Sequence, residues 1–257
     1  MKQLFNLGDP SQRFTDRVGD YMRYRPDYPE EILDDLRGVG LGPGVVAADI
    51  GAGTGIFAEL LLRSGANVIG VEPNDAMRAA AETLLGENPR FRAVKGSAEA
   101  TGLPYHSVDF VTAAQAFHWF DPVATRREFE RILKPGGWIA LVWNSRRLAS
   151  TAFLLEYEAL LRRYGTDYAA VASRYPHAEQ VRDFFGGEVM TRTISHGQQL
   201  DREGLRGRLL SSSYTPPEGH PDRAPMLSAL DEIFDRHAQD GRVTIEYDTE
   251  LHLGRLT

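Results

Sequence analysis

The stretch Asp49-Ile50-Gly51-Ala52-Gly53-Thr54-Gly55 decides the fold. It closes the short apolar run Val45 to Ile50 and opens a segment in which Ile56, Phe57, Leu60 and Leu61 recur at helical spacing. A glycine turn between a strand and a helix lets the backbone approach a ligand closely. It also presents free N–H groups at the positive end of the helix. The next apolar run, Asn67 to Val71, ends at Glu72, 21 residues beyond Gly51. An acid there can accept both hydroxyls of a ribose. The turn alone is a weak signal; with the acid it points to a nucleoside cofactor. A dinucleotide fingerprint, G-x-G-x-x-G, needs glycine at the position of Ile56, whereas here the third glycine is Gly55. The tighter turn suits a cofactor with an amino-acid tail and disfavours NAD.

The same alternation runs outward on both sides. Upstream, Pro29 begins a helical segment to Gly40 with Ile32, Leu33, Leu36 and Val39 on one face. Downstream, Asn74 caps a helix through Leu85, Phe91 to Val94 and Val108 to Ala114 are strands, and Asp121-Pro122 starts another helix. Pro135-Gly136-Gly137 ends that helix, and Trp138 to Trp143 is a fifth strand. Continuous apolar strands alternating with helices predict a parallel sheet covered on both faces. After Ser145 the pattern changes. Helices are expected around Phe153 to Tyr164, His177 to Phe185 and Leu227 to Phe234. Two strictly alternating strands, Val189 to Ser195 and Val243 to Leu253, suit an antiparallel edge. The expectation is one domain, 1–257: an N-terminal lid and first helix (1–44), a cofactor core (45–145), then a helical insertion between the fifth and sixth strands and the last two strands (146–257).

Composition narrows the function. Of the 257 residues, 42% are hydrophobic and 25% charged, as in an ordinary globular protein, and the net charge of −7 offers no broad basic field for nucleic acid or an anionic membrane. With no cysteine, disulfides, zinc-thiolate sites and thiol catalysis are excluded. MKQLFNLGDP has no long apolar run, so no signal peptide is read there, and no stretch is long enough for a membrane span. A cytoplasmic protein, monomeric or weakly dimeric, is expected. No metal is expected, since His, Asp and Glu are not clustered at ligand spacing.

Taken in order, Asp49 to Gly55, Glu72-Pro73 with Met77, Gly96-Ser97-Ala98-Glu99 with Leu103-Pro104, Asp109 to Phe120 and Leu133 to Gly137 resemble the class I S-adenosylmethionine-dependent methyltransferases, in the methyltransferase type 11 group. Tyr21-x-x-Tyr24-Arg25-Pro26-x-Tyr28-Pro29 and Phe117-His118-Trp119-Phe120 are similar to a subgroup that includes trans-aconitate-methyltransferase-like proteins. The resemblance implies an α/β, Rossmann-like fold: a mostly parallel seven-stranded sheet with one antiparallel strand and a helical insertion. It also implies S-adenosyl-L-methionine as cofactor. Asp49 and the backbone at Gly51, Ala52, Gly53 and Gly55 would meet the cofactor's amino and carboxylate groups. Glu72 would hold the ribose, and Pro73 and Met77 would flank the adenine. Ser97, Ala98 and Glu99 would face its ring edge, with Gln115 beside the methionine part. For Met77 core filling is an equal reading.

His118 is the candidate general base, with a pocket wall as its plain alternative. A carboxylate acceptor would need no base. Trp119, Phe120, Tyr21 and Tyr24 can face a cation with their rings or simply pack. The segment from Tyr21 to Pro29 is expected either to fold over the cofactor, with Tyr21 or Arg25 near the methionine carboxylate, or to pack as an aromatic strap on the first helix. The acceptor is expected to be a small molecule met by Tyr24, His118, Trp119, Arg146, Ser213 and Tyr214. Arg25, Arg146, Arg147 and Arg208 either favour a carboxylic acid, with a neutral hydroxyl compound second, or are solvated surface groups. A nucleic-acid methyltransferase and a non-catalytic S-adenosylmethionine-binding protein are the alternatives.

Overall fold

A computed structural model describes residues 18–172 and 178–257. The first ten residues, His177 and the side chain of Tyr21, on which expectations rested, lie outside the described part. The strands are β1 (Val46–Ile50), β2 (Asn67–Val71), β3 (Phe91–Val94), β4 (Val108–Ala114), β5 (Leu133–Arg146), β6 (Val189–Leu200) and β7 (Val243–Gly254). They form one seven-stranded sheet in the order β3-β2-β1-β4-β5-β7-β6. β1 pairs in parallel with β2 and β4, β2 with β3, and β4 with β5, while β7 is antiparallel to β5. The expected fold class is therefore the observed one.

The chain forms two compact units. Among the described residues, one comprises 26–146, 178–196 and 247–257; the other comprises 18–25, 147–172 and 197–246. In the first, apolar strand residues alternate between two cores, because side chains along a strand point to opposite faces. Ala47, Val68, Phe110, Ala140 and Val142 pack with Ile32, Leu33 and Leu36 of α2 (Glu31–Gly38) and with Phe57, Leu60 and Leu61 of α3 (Ile56–Leu62). Ala48, Ile50, Val71, Val111, Ile139 and Leu141 pack with Phe129 and Ile132 of α5 (Pro122–Ile132) and with Phe184 and Phe185 of α8 (Ala178–Phe185). Two-sided burial is why these strands carry no polar alternation.

The other unit holds α1 (Val18–Tyr24), α6 (Ala152–Tyr164), α7 (Tyr168–Ala172), α9 (Arg202–Leu210) and α10 (Arg223–His237). Leu154, Tyr157 and Leu161 of α6 and Met226, Leu230 and Phe234 of α10 are buried there. The ring of Tyr24 lies where a Cβ on Gly207 would stand, so α1 packs closely on α9.

α6 to α8 lie between β5 and β6, where the helical insertion was expected, and α9 and α10 lie between β6 and β7. One expectation is corrected: Pro135-Gly136-Gly137 does not separate helix from strand. β5 begins at Leu133, opposite Val108, and its register jumps so that Trp138 meets Phe110. The proline and glycines are absorbed as an irregularity within the strand.

Candidate functional site

The strand order reverses between β1 and β4, and ligands of open α/β sheets bind beyond the strand ends at that point. Gly51 leaves β1 there with φ +70°, and a Cβ on it would stand 2.6 Å from the Cβ of Ala116, just past β4. Gly53, with φ +56°, has open space where its Cβ would be. The first glycine is needed for close packing, the second for its backbone conformation beside open space. The free N–H groups expected of the turn are spent inside it. Gly51 and Ala52 donate to Val71 O (2.8 and 3.2 Å), Gly55 donates to Ala52 O (2.9 Å), and Gly53 donates to Glu72 Oε2 (2.9 Å).

Two buried carboxylates flank the turn. Asp49 accepts 2.8 Å from Thr112 Oγ1, while its Oδ2 is buried with no hydrogen-bond partner. Burial pushes the Asp49 carboxyl up to about 7, against the Thr112 hydrogen bond and helped by the nearby charge of Glu72. Glu72 accepts from Gly53 N and, at 2.8 Å, from Asn74 N. Burial raises its carboxyl too, opposed by those two backbone bonds and by Arg78. A carboxylate offers about four lone-pair sites, so two bonds inside the fold leave Glu72 able to accept hydroxyls. Thr54 Oγ1 is a further buried polar atom with no partner. An ammonium group opposite Asp49 Oδ2 and a diol opposite Glu72 are what these atoms fit.

Asn74 caps α4 (Asp75–Leu85), accepting 3.0 Å from Met77 N, and this follows Pro73 and buries Met77 at the helix start. Ser97 and Ala100 close a reciprocal turn (3.1 and 3.3 Å) around buried Ala98. Glu99 Oε1 accepts 3.0 Å from Asp121 N, so one of its oxygens is already committed to the start of α5. At the end of β4, Gln115 takes φ +56°, rare for a residue with a side chain, and its Nε2 donates 2.8 Å to Asn144 O. Asn144 in turn accepts 2.6 Å from Thr249 Oγ1 and donates 3.2 Å to Asp27 O. Phe117 is anchored edge-on against Phe184 at 4.7 Å, leaving His118 and Trp119 half-buried with ring centroids 5.0 Å apart.

Arg146 ends β5 opposite Tyr247 in this same unit. The remaining acceptor candidates belong to the other unit. There Tyr24 OH donates 3.1 Å to Glu203, Arg25 Nη2 donates 2.9 Å to Ser211 O, and Arg208 Nη1 donates 3.0 Å to Ser212 Oγ. Arg147 lies 3.9 Å from Glu246, and Tyr214 packs edge-on against Tyr168 at 4.9 Å, next to Ser213. Thr112 was missed as a site residue by sequence reasoning. Thr112 meets Asp49 only because the β1–β4 register places them side by side, and no residue pattern encodes that register. Among the described residues no group of three or more His, Asp or Glu side chains is arranged to hold a metal, and no helix is long and apolar enough to cross a membrane.

A turn, two acids and a switch point of this kind define a nucleoside-cofactor enzyme of the α/β class. A model of the methyltransferase domain matches residues 48–141. A methyltransferase-like protein of Schizosaccharomyces pombe, itself uncharacterized, is 33% identical over 222 residues, covering 86% of this chain and 85% of that one. An uncharacterized methyltransferase of Mycobacterium tuberculosis is 40% identical over 140 residues, and the chain spans about half (54%) of its length. A solved structure from Anaeromyxobacter dehalogenans, provisionally named a type II methyltransferase, shares the fold with a TM-score of 0.62 at 24% identity, covering 90% of this chain and 98% of that one. The chain belongs to the class I S-adenosylmethionine-dependent methyltransferase family, and S-adenosylmethionine is its cofactor. None of these relatives points to the trans-aconitate-like subgroup.

Proposed function

We propose that the chain, acting as one methyltransferase domain, transfers a methyl group from S-adenosylmethionine to a small-molecule acceptor, with a carboxylic acid or similar anion first and a neutral hydroxyl compound second. The observation that carries the cofactor side is the unpartnered, buried Oδ2 of Asp49 beside the glycine turn and Glu72. Asp49 receives the ammonium, with the backbone of Gly51, Ala52, Gly53 and Gly55 around the amino-acid tail. Glu72 accepts the ribose hydroxyls. Pro73 and Met77 flank the adenine, Ser97, Ala98 and Glu99 meet its edge, and Gln115 lies beside the methionine chain. When bound, the sulfonium supplies a methyl group that is already activated.

The protein's remaining work is to position the acceptor in line and to exclude water. For a carboxylate acceptor no base is required. For a hydroxyl acceptor His118, held on the turn after β4, takes the proton. Arg146, at the end of β5, supports the choice of an anion. Trp119, beside His118, completes the acceptor reading on this unit. The net charge of −7 disfavours nucleic acid as the acceptor.

Calorimetry with S-adenosylmethionine tests the cofactor assignment. Glu72→Ala removes charge-assisted hydrogen bonds of about 1.5–3 kcal/mol each, so its affinity falls at least tenfold. Equal affinity of the wild type and Glu72→Ala refutes the ribose role. Methyl-donor consumption across carboxylic acids and hydroxyl compounds then ranks the acceptor classes. Cofactor binding without consumption on any of them favours the non-catalytic alternative.

A further inference from the structure

The turn read as the adenine edge is held from behind by a buried ionic cluster that touches no ligand. Glu128, in the middle of α5, is only 8% exposed. Its Oε1 accepts from Thr101 N (2.8 Å), Thr101 Oγ1 (2.5 Å) and Arg131 Nη2 (2.7 Å), and its Oε2 accepts from Arg131 Nε (2.7 Å). Arg131 also donates 2.8 Å to Leu103 O, and Leu103 N donates 3.2 Å to Thr101 Oγ1. At the front of the same helix, Asp121 N holds Glu99 Oε1. The loop from Ser97 to Leu103 is thus tied to α5 at Glu99, Thr101 and Leu103. Thr101 itself has no exposed surface.

Four donors converging on one carboxylate need it ionised. Burial would raise the Glu128 carboxyl, but the Arg131 and Thr101 hydrogen bonds outweigh that and hold it below the usual range. Glutamine cannot replace it. An amide has one accepting oxygen, so it satisfies Thr101 or Arg131 but turns N–H donors toward the other.

We propose that Glu128 is a positioning residue for base recognition: acting through Thr101 and with Arg131, it sets the Ser97–Glu99 turn at the place where adenine is distinguished from its 6-oxo analogue. This rests on the reading of Ala98 and Glu99 as the adenine edge. Adenine offers a ring-nitrogen acceptor beside an amino donor, which match a backbone N–H and a carboxylate. Hypoxanthine reverses both, leaving like facing like. Discrimination of this kind depends on donor and acceptor standing within about 0.5 Å of their places, and rigid second partners supply that precision.

The test compares dissociation constants for S-adenosylhomocysteine and S-inosylhomocysteine in the wild type, Glu128→Gln, Thr101→Val and Thr101→Ser, with melting curves to confirm folding. The wild type prefers the adenine ligand on the order of 100-fold. Glu128→Gln and Thr101→Val cut that ratio at least about fivefold by weakening the adenine ligand about tenfold, while Thr101→Ser, which keeps the hydroxyl, retains it. Should Glu128→Gln fail to fold, the valine–serine pair carries the comparison. Equal weakening of both ligands in folded variants, or an unchanged ratio, overturns the proposal and leaves Glu128 with a role in stability alone. A wild type that binds both ligands equally overturns the adenine-edge reading, and one that binds neither overturns the cofactor assignment itself.

Discussion

Replacing Asp49 with Asn isolates the electrostatic cost stored under the glycine turn. In the ligand-free protein burial lifts the carboxyl from 3.8 to about 7, against the Thr112 hydrogen bond and reinforced by Glu72. The native state therefore holds this proton more tightly than the unfolded chain does. Stability from Asp49 is fully present below the unfolded value and is lost as pH rises from about 4 to about 7. The gap corresponds to about 4 kcal/mol. Asn keeps an oxygen for Thr112 and has no proton to lose, so it removes the slope. Its buried amide adds a penalty, but one that does not vary with pH. The melting temperature of Asp49→Asn relative to wild type should accordingly rise between about pH 4.5 and about pH 8, by on the order of 10 °C. Groups that titrate independently of Asp49 cancel in that difference. An ammonium partner favours the ionised carboxylate, so binding S-adenosylmethionine near pH 6 should release a proton from wild type, seen as a buffer-dependent calorimetric enthalpy. That release should vanish in Asp49→Asn. A melting difference that stays flat across this range would refute the account of Asp49 as a strained, buried acid awaiting a cation.

Gly51→Ala forces a Cβ to within 2.6 Å of Ala116 at a positive φ, which should cost about 2–4 kcal/mol from overpacking and left-handed strain together, measured as a lower urea midpoint. Asp121→Ala removes the carboxylate that accepts from Val123 N and Ala124 N at the start of α5, and should lower stability by about 0.5–2 kcal/mol in the same assay.

What was legible in the sequence is what is locally determined. Asn74 and Asp121 announce α4 and α5 because capping is settled within three residues of chain, and both caps form as read. The bounds of β2 and β4 follow from apolar runs buried on two faces, and those of β3 from Phe91, Ala93 and Val94 around an exposed Arg92. Asp49, the glycine turn and Glu72 stand together at the switch point because a strand–turn–helix unit carries its own geometry. What the sequence left open depends on register and on long-range contact. Thr112 orients Asp49 across 63 residues of chain, and Glu128 reaches Thr101 across 27. Neither pair has a spacing that advertises it. The Pro135-Gly136-Gly137 segment looks like a break in isolation, yet pairing with β4 carries it inside β5. The carboxylates of Asp49 and Glu72 were thus readable from the chain, whereas the Thr112 hydroxyl that aims Asp49, and Glu128 with the Thr101 hydroxyl it holds, came only with the packed fold.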